Sequence, residues 1–205
     1  MARSSKGRGK LNRRVEILRA ARKLMNARGL SGVTTRQIAQ EVGCSEGALY
    51  VHFDGRLELL LTMLEESLPD MLRPLQTLSE SVGRGSPQRN LVQALVGVHR
   101  FHRDIVPGTA GLFAEPELLT AYRSVLRRQD KGPHLSMKVL EDYIRSEQRL
   151  KRISSHADAR MAAYLMMSAS FFRAFVEEFF GRSKPAWTPF VERLVLAVAP
   201  GPGRG

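Results

Sequence analysis

The chain has 205 residues, with 32 Lys+Arg against 20 Asp+Glu, a formal net charge of +12 and 43% hydrophobic side chains. That length fits one compact unit or two small domains sharing a core, and the hydrophobic fraction excludes a disordered basic tail. The single cysteine, Cys44, excludes an internal disulfide framework and a multi-cysteine zinc site. The longest uncharged stretch near the C-terminus, Met161 to Phe172, has 12 residues, short of the roughly 18 apolar residues that span a bilayer. No apolar run follows the basic N-terminus, so no signal peptide is expected. The composition points to a soluble, intracellular, basic globular protein.

The charge is concentrated. Residues 1–56 hold 12 Lys+Arg and 4 Asp+Glu. A field of this kind favours a polyanion, because each neutralised phosphate releases condensed counterions. Charge alone is equally consistent with a solvated basic face, so the sequence pattern has to decide.

In chain order, residues 1–10 lack large apolar side chains and read as a mobile basic arm carrying Arg3, Lys6, Arg8 and Lys10. From Leu11, the residues Val15, Ile17, Leu18, Ala21, Leu24 and Met25 recur at three- and four-residue spacing, the apolar stripe of a helix that ends at Arg28-Gly29. Thr34 and Gln37 then have capping-box spacing, and Ile38, Ala39 and Val42 form a short buried face. Gly43-Cys44 permits a tight turn, Ser45 can cap a further helix, and Leu49 and Phe53 are its buried positions. Two short helices about a glycine turn make a helix-turn-helix, whose second helix enters the DNA major groove. Cys44 in that turn reads as a small buried hydrophobe.

The runs Val33-Thr34-Thr35-Arg36-Gln37-Ile38-Ala39 and Val42-Gly43-Cys44-Ser45-Glu46-Gly47-Ala48-Leu49-Tyr50-Val51-His52-Phe53 resemble the DNA-binding domain of TetR-family transcriptional regulators. The resemblance covers about residues 11–66; the remainder is similar in layout alone. Two positions depart from the family's pattern: Ala48 stands where a hydroxyl residue is common, and Arg56 where a lysine is common. The resemblance implies that Arg36 reaches a guanine edge or a phosphate, that Ser45, Glu46 and Ala48 face the groove, and that Gly47 allows close approach. It also implies backbone contacts from Thr35, Tyr50, His52 and Arg56. Glu46 repels phosphate but can accept from cytosine N4, which makes it a candidate for specificity rather than affinity.

The expected architecture is all-α. After the arm come a helix-turn-helix domain over 11–56, a helical effector and dimerisation domain over 57–199, and a frayed tail over 200–205. Pro69, Pro74 and the stretch 81–87 read as punctuation after helix four. Helical patterns follow at about 88–104, 109–114, 116–130 and 134–148, with no alternating strand pattern. Residues 157–181 leave no fully polar face, and 190–198 form a short apolar helix. Pairing across a two-fold axis would cover them, and the family resemblance implies such a four-helix interface; Ala163, Met167, Phe190, Leu194 and Ala197 are its candidates. Phe101, Phe113, Met137, Met166, Met167 and Phe171 are the candidates for an apolar effector pocket.

No cofactor is expected, and no metal: His99 and His102 share a helix face, but no cysteine or dense carboxylate cluster lies near them in sequence. No phosphate loop or nucleophile elbow supports an enzyme. The function expected is a cytoplasmic, nucleoid-associated regulator that binds a palindromic operator as a homodimer, most simply a repressor released by a small apolar effector. The alternative is an architectural protein that coats DNA without reading its sequence, or, less favoured, an enzyme on a helical scaffold.

Overall fold

The computed structural model describes residues 3–130, 132–181 and 186–202. Among the described residues there are helices and no strands. Helix α1 spans Arg3–Arg28, and a 3-10 turn, Leu30–Gly32, leads to α2 (Thr35–Val42) and α3 (Glu46–Tyr50). Then come α4 (Arg56–Glu80), α5 (Pro87–Phe113), α6 (Pro116–Arg128), α7 (Pro133–Arg149), α8 (Ala159–Phe180) and α9 (Trp187–Val198).

Several boundaries differ from the sequence expectation. The backbone of residues 3–10, expected as a mobile arm, is helical. Gly7 and Gly9 are poor helix formers, so this stretch is helical as an extension of the turns that follow it, which costs less than nucleating a new helix; the side chains of Arg3, Lys6, Arg8 and Lys10 lie outside the described residues. Pro69 and Pro74 fall inside α4, and α5 continues through Pro107, where two helices were expected. An interior proline costs about 3 kcal/mol. Burying a leucine-sized side chain contributes roughly 1.5–3 kcal/mol, and Leu75 and Leu78 after Pro74, like Leu112 after Pro107, are buried.

The chain divides into two compact units, Met1–Leu68 with Pro107–Val125, and Pro69–Val106 with Leu126–Gly205. The expected division at residue 56 is therefore not the one the packing makes. In the first unit Ile17, Ala21 and Met25 of α1 share a core with Leu30, Ile38, Leu49, Leu59 and Leu60, and Leu112 and Leu118 complete it.

In the second unit α7 and α8 pack along their length, around a core that includes Leu95, Leu140, Ile144, Ala163, Met166 and Val195. Asp158 caps α8 by accepting from the Met161 N–H at 2.9 Å. The fully buried Glu147 accepts from the Gly83 N–H at 2.9 Å and pairs with Arg152 at 3.1 Å, which anchors the turn between α4 and α5. The start of the expected tail is also anchored: the Ser154 N–H donates to the Pro200 carbonyl at 2.9 Å. Residues 203–205 of that tail lie outside the described residues. Among the described residues no helix is long and apolar enough to cross a membrane.

Within the first unit the end of α5 approaches the 3-10 turn with no clearance. A Cβ at Gly111 would lie 2.7 Å from Leu30 Cβ and 3.1 Å from the Leu30 backbone nitrogen, so something other than a flexible side-chain tip must yield. Overpacking of this kind costs roughly 1–3 kcal/mol, more than the gain of up to about 1 kcal/mol from replacing a helical glycine by alanine. Gly111→Ala is therefore expected to lower the urea midpoint, although it replaces a poor helix former by the best one. A midpoint equal to or above that of the parent protein would show that the turn yields freely.

Candidate DNA interface

The helix-turn-helix is built from local caps. The Gln37 N–H donates to Thr34 Oγ1 at 3.2 Å and the Thr34 N–H donates to Gln37 Oε1 at 3.1 Å, closing the expected capping box on α2. Gly43 adopts φ 73° and ψ 40°, the left-handed conformation that a helix end assigns to glycine. The N–H groups of Gly43 and Cys44 close the end of α2 on the Gln40 and Ala39 carbonyls. Ser45 Oγ accepts from the Ala48 N–H at 3.3 Å, which caps α3 and commits that hydroxyl to the helix. Cys44 is half-buried against the core.

A five-residue helix cannot stand alone, since isolated helices shorter than about 12 residues are marginal in water. Three long-range contacts hold α3. Leu49 and Phe53 enter the core. Arg14 of α1 donates to the His52 carbonyl at 2.7 Å and lies 4.3 Å from the centre of the Phe53 ring, a cation–π contact. The Thr35 hydroxyl donates to Glu46 Oε1 at 2.5 Å, tying the first turns of α2 and α3 together. The role of Arg14 was not legible in the sequence, where it is one of several arginines flanking an apolar stripe.

The expected contact residues separate into three groups. Arg36, Gly47 and Tyr50 are exposed, Tyr50 at 52%, and Arg36 forms no hydrogen bond or ion pair among the described residues. Ala48 and the His52 side chain are half-buried. Thr35 and Glu46 are engaged with each other. Of the cations on α1, Lys23 is neutralised by Glu41 at 2.5 Å and Arg13 by Glu16 at 3.0 Å.

Arg56 departs from its expected place on a phosphate. Its Nε donates to the Val33 carbonyl at 2.8 Å and its Nη2 to the Leu30 carbonyl at 3.2 Å. Both Nη atoms donate to Glu115, at 2.6 and 2.8 Å, in a bidentate pair. The guanidinium is thus spent on the protein. The hydrogen bonds from Arg56 hold the Glu115 carboxyl below the usual carboxylate range, and Glu115 raises Arg56 above the ordinary arginine value.

The other sequence candidates are redistributed by packing. Met166 and Met167 are core residues, Phe101 is buried, and Met137 packs against the core. Phe113 belongs to the first unit and is 67% exposed, and Phe171 is exposed on α8. Apolar spacing does not distinguish a pocket lining from a core, and these methionines fill the core. Of the dimer candidates, Ala163 is 1% exposed and Met167 is buried, so neither is available to a second chain. Phe190 and Ala197 are exposed and Leu194 is half-buried. Instead Met161, Tyr164, Leu165, Phe172, Phe175 and Phe179 of α8 stand exposed at helical spacing. An all-apolar helix has a buried side and an open side, and periodicity alone does not say which is which. His99 and His102 are buried, with Nδ1 atoms 3.3 Å from the Ser170 carbonyl and 2.9 Å from Ser170 Oγ. Burial pushes His102 down to about 4 and also lowers His99, so both rings act as neutral hydrogen-bonding groups.

Two substitutions test this geometry. Glu115 has a depressed folded-state value, so the stability it contributes is present above the ordinary carboxylate range and lost as pH falls through that lower value. Glu115→Gln should lower the urea midpoint at pH 7, and the gap to the parent protein should close on acidification; a gap independent of pH would mean that the ion pair contributes nothing. At Gly47 a Cβ would meet only Ser45 Oγ, at 4.0 Å. Gly47→Ala should therefore stabilise the fold by up to about 1 kcal/mol while weakening DNA binding, since the new methyl meets no clash among the described residues and Gly47 lies on the expected DNA surface. Unchanged DNA affinity would remove Gly47 from the interface.

A model of the bacterial regulatory proteins of the tetR family matches residues 17–63, the segment just described. The chain is 26% identical over 152 residues to the HTH-type transcriptional regulator BetI of Brucella anthropi, covering 72% of this chain and 76% of that protein. It is 47% identical over 66 residues to the nucleoid occlusion factor SlmA of Vibrio vulnificus, but that match spans only 30% of this chain and 34% of that protein. It is 36% identical over 88 residues to the HTH-type transcriptional repressor KstR2 of Rhodococcus jostii, covering 43% and 42% of the two chains. The fold is shared with GusR of Salmonella enterica, at TM-score 0.65 and 21% identity over 92% of this chain and 95% of that one. It is also shared with FadR of Bacillus subtilis in complex with stearoyl-CoA, at TM-score 0.64 and 14% identity over 91% and 98%. Family and fold point to a regulator rather than an enzyme. The doubly capped helix-turn-helix thus lies inside a segment, residues 17–63, that is similar to the bacterial regulatory proteins of the tetR family, and the all-helical fold around it is shared with solved structures of such regulators.

Proposed function

We propose that a homodimer of this chain binds a roughly palindromic operator through two copies of α2–α3, represses transcription there and is released by a small apolar effector. The observation that carries this reading is the capped α2–α3 pair with Arg36, Gly47 and Tyr50 exposed on it. The exposed aromatic and aliphatic side chains of α8, with Phe190 and Leu196 of α9, support the dimer, because an apolar stripe of that extent is covered in most soluble proteins. That KstR2 is a transcriptional repressor, and that FadR was seen with stearoyl-CoA, support repression and an apolar effector. The likeness to a nucleoid occlusion factor spans only 30% of this chain and favours a second reading, in which DNA is bound without repression.

Selection from a random duplex pool should return a two-fold motif whose half-sites are about one helical turn, roughly 34–36 Å, apart, with the protein sedimenting as a dimer. Arg36→Ala should cost on the order of 1–3 kcal/mol on that motif and relax the preference at one position, whereas Tyr50→Phe should weaken all sequences alike. Equal affinity for the selected motif and random DNA would favour the architectural reading. An effector should weaken operator binding roughly 5- to 150-fold, and the operator should weaken effector binding by the same factor. A ligand that binds equally well with and without operator would end that part of the proposal.

A further inference from the structure

Of the expected contact residues, Glu46 is the one whose charge opposes DNA binding. Every phosphate nearby repels it, so its position in the first turn of α3 needs a compensating contact. The structure supplies half of one. Glu46 is half-buried, its Oε1 accepts from Thr35 Oγ1 at 2.5 Å, and its Oε2 has no partner among the described residues. The Thr35 hydroxyl has a single proton, and donating it to Glu46 leaves none for a phosphate. Thr35 is itself placed by the neighbouring capping box at Thr34 and Gln37.

We infer that Thr35 and Glu46 act as one specificity unit, in which the hydroxyl of Thr35 aims the free carboxylate oxygen of Glu46 at a cytosine in each half-site. The inference rests on the operator-binding reading above and names the base that one part of the site reads. Residues in the opening turn of a recognition helix reach base edges in the major groove. There a carboxylate accepts from the cytosine N4 amino group and is repelled by the acceptors of guanine and thymine, while adenine sets its donor beside the N7 acceptor. Fixing the carboxylate in advance removes rotamer freedom that would otherwise be lost on binding. Thr35 is then a positioning residue: it touches Glu46, and Glu46 touches the base.

The test is selection from a random duplex pool with the full-length parent protein and three variants, each first checked for native helix content by circular dichroism. The parent motif should contain one cytosine per half-site, preferred on the order of 5- to 150-fold, that Glu46→Gln converts towards adenine, since a glutamine side chain pairs with adenine N6 and N7. Thr35→Val should retain the rest of the motif but blur that one position, and Thr35→Ser, which keeps the hydroxyl, should restore it. A merely structural hydrogen bond would lower affinity for all sequences and leave the base preferences as they were. A motif unchanged in Glu46→Gln, or a Thr35→Val motif as sharp as the parent's, overturns the inference alone. A parent protein that selects no sequence overturns the operator-binding reading and the inference with it.

Discussion

The guanidinium of Arg56 joins parts of the first unit that are far apart in the chain. Its three nitrogens reach the Leu30 carbonyl at the 3-10 turn, the Val33 carbonyl just before α2, and both oxygens of Glu115 between α5 and α6. A partly buried cation is tolerated when a carboxylate and well-placed carbonyls replace the water it loses, and a planar guanidinium matches that demand better than an ammonium. The entry to α2 is therefore set by a residue 59 positions downstream of Arg56. The same contact explains why the first unit includes Pro107–Val125: Leu112 and Leu118, on either side of Glu115, lie in the core that α1, α2, α3 and α4 share.

Around that anchor, the recognition helix is a product of tertiary structure. α3 has only five residues, and its capping serine satisfies one donor. The rest of its stability comes from Leu49 and Phe53 in the core, from Arg14 on the Phe53 ring and the His52 carbonyl, and from the Thr35–Glu46 hydrogen bond. Several side chains that could have met DNA are thereby committed to the protein, and Arg36, Gly47 and Tyr50 are left to face outward. The basic character of the segment overstates its free charge, since Lys23, Arg13 and Arg56 each have a carboxylate partner.

In the second unit several polar groups are buried while phenylalanines of one helix are exposed. His99, His102 and Ser170 are buried, and Glu177 pairs with Arg173 and Arg103 at 2.7 and 3.4 Å. Desolvation keeps the imidazoles neutral, and hydrogen bonds to Ser170 satisfy them. Along α8 small residues such as Ala159, Ala162, Ala163 and Ala174 face the core, while Phe172, Phe175, Phe179 and Phe180 are exposed. Small side chains let helices approach closely, which accounts for the alanines on the inner side.

The sequence by itself determined whatever depends on residues within about a turn of one another. The stripe of α1, the Thr34–Gln37 capping box, the left-handed Gly43, the Ser45 cap and the all-helical class follow from local periodicity and backbone preference, and these are also the features that carry the family resemblance. Tertiary structure decided what depends on partners remote in the chain. It took Arg56 from phosphate to Glu115, bound Glu46 to Thr35, carried α4 and α5 through their prolines, and put Met166, Met167 and Ala163 in the core rather than on a pocket or an interface. Hydrophobic periodicity states that a side chain must be buried; which surface buries it, and which cation finds a carboxylate, is settled only when distant segments compete for the same space.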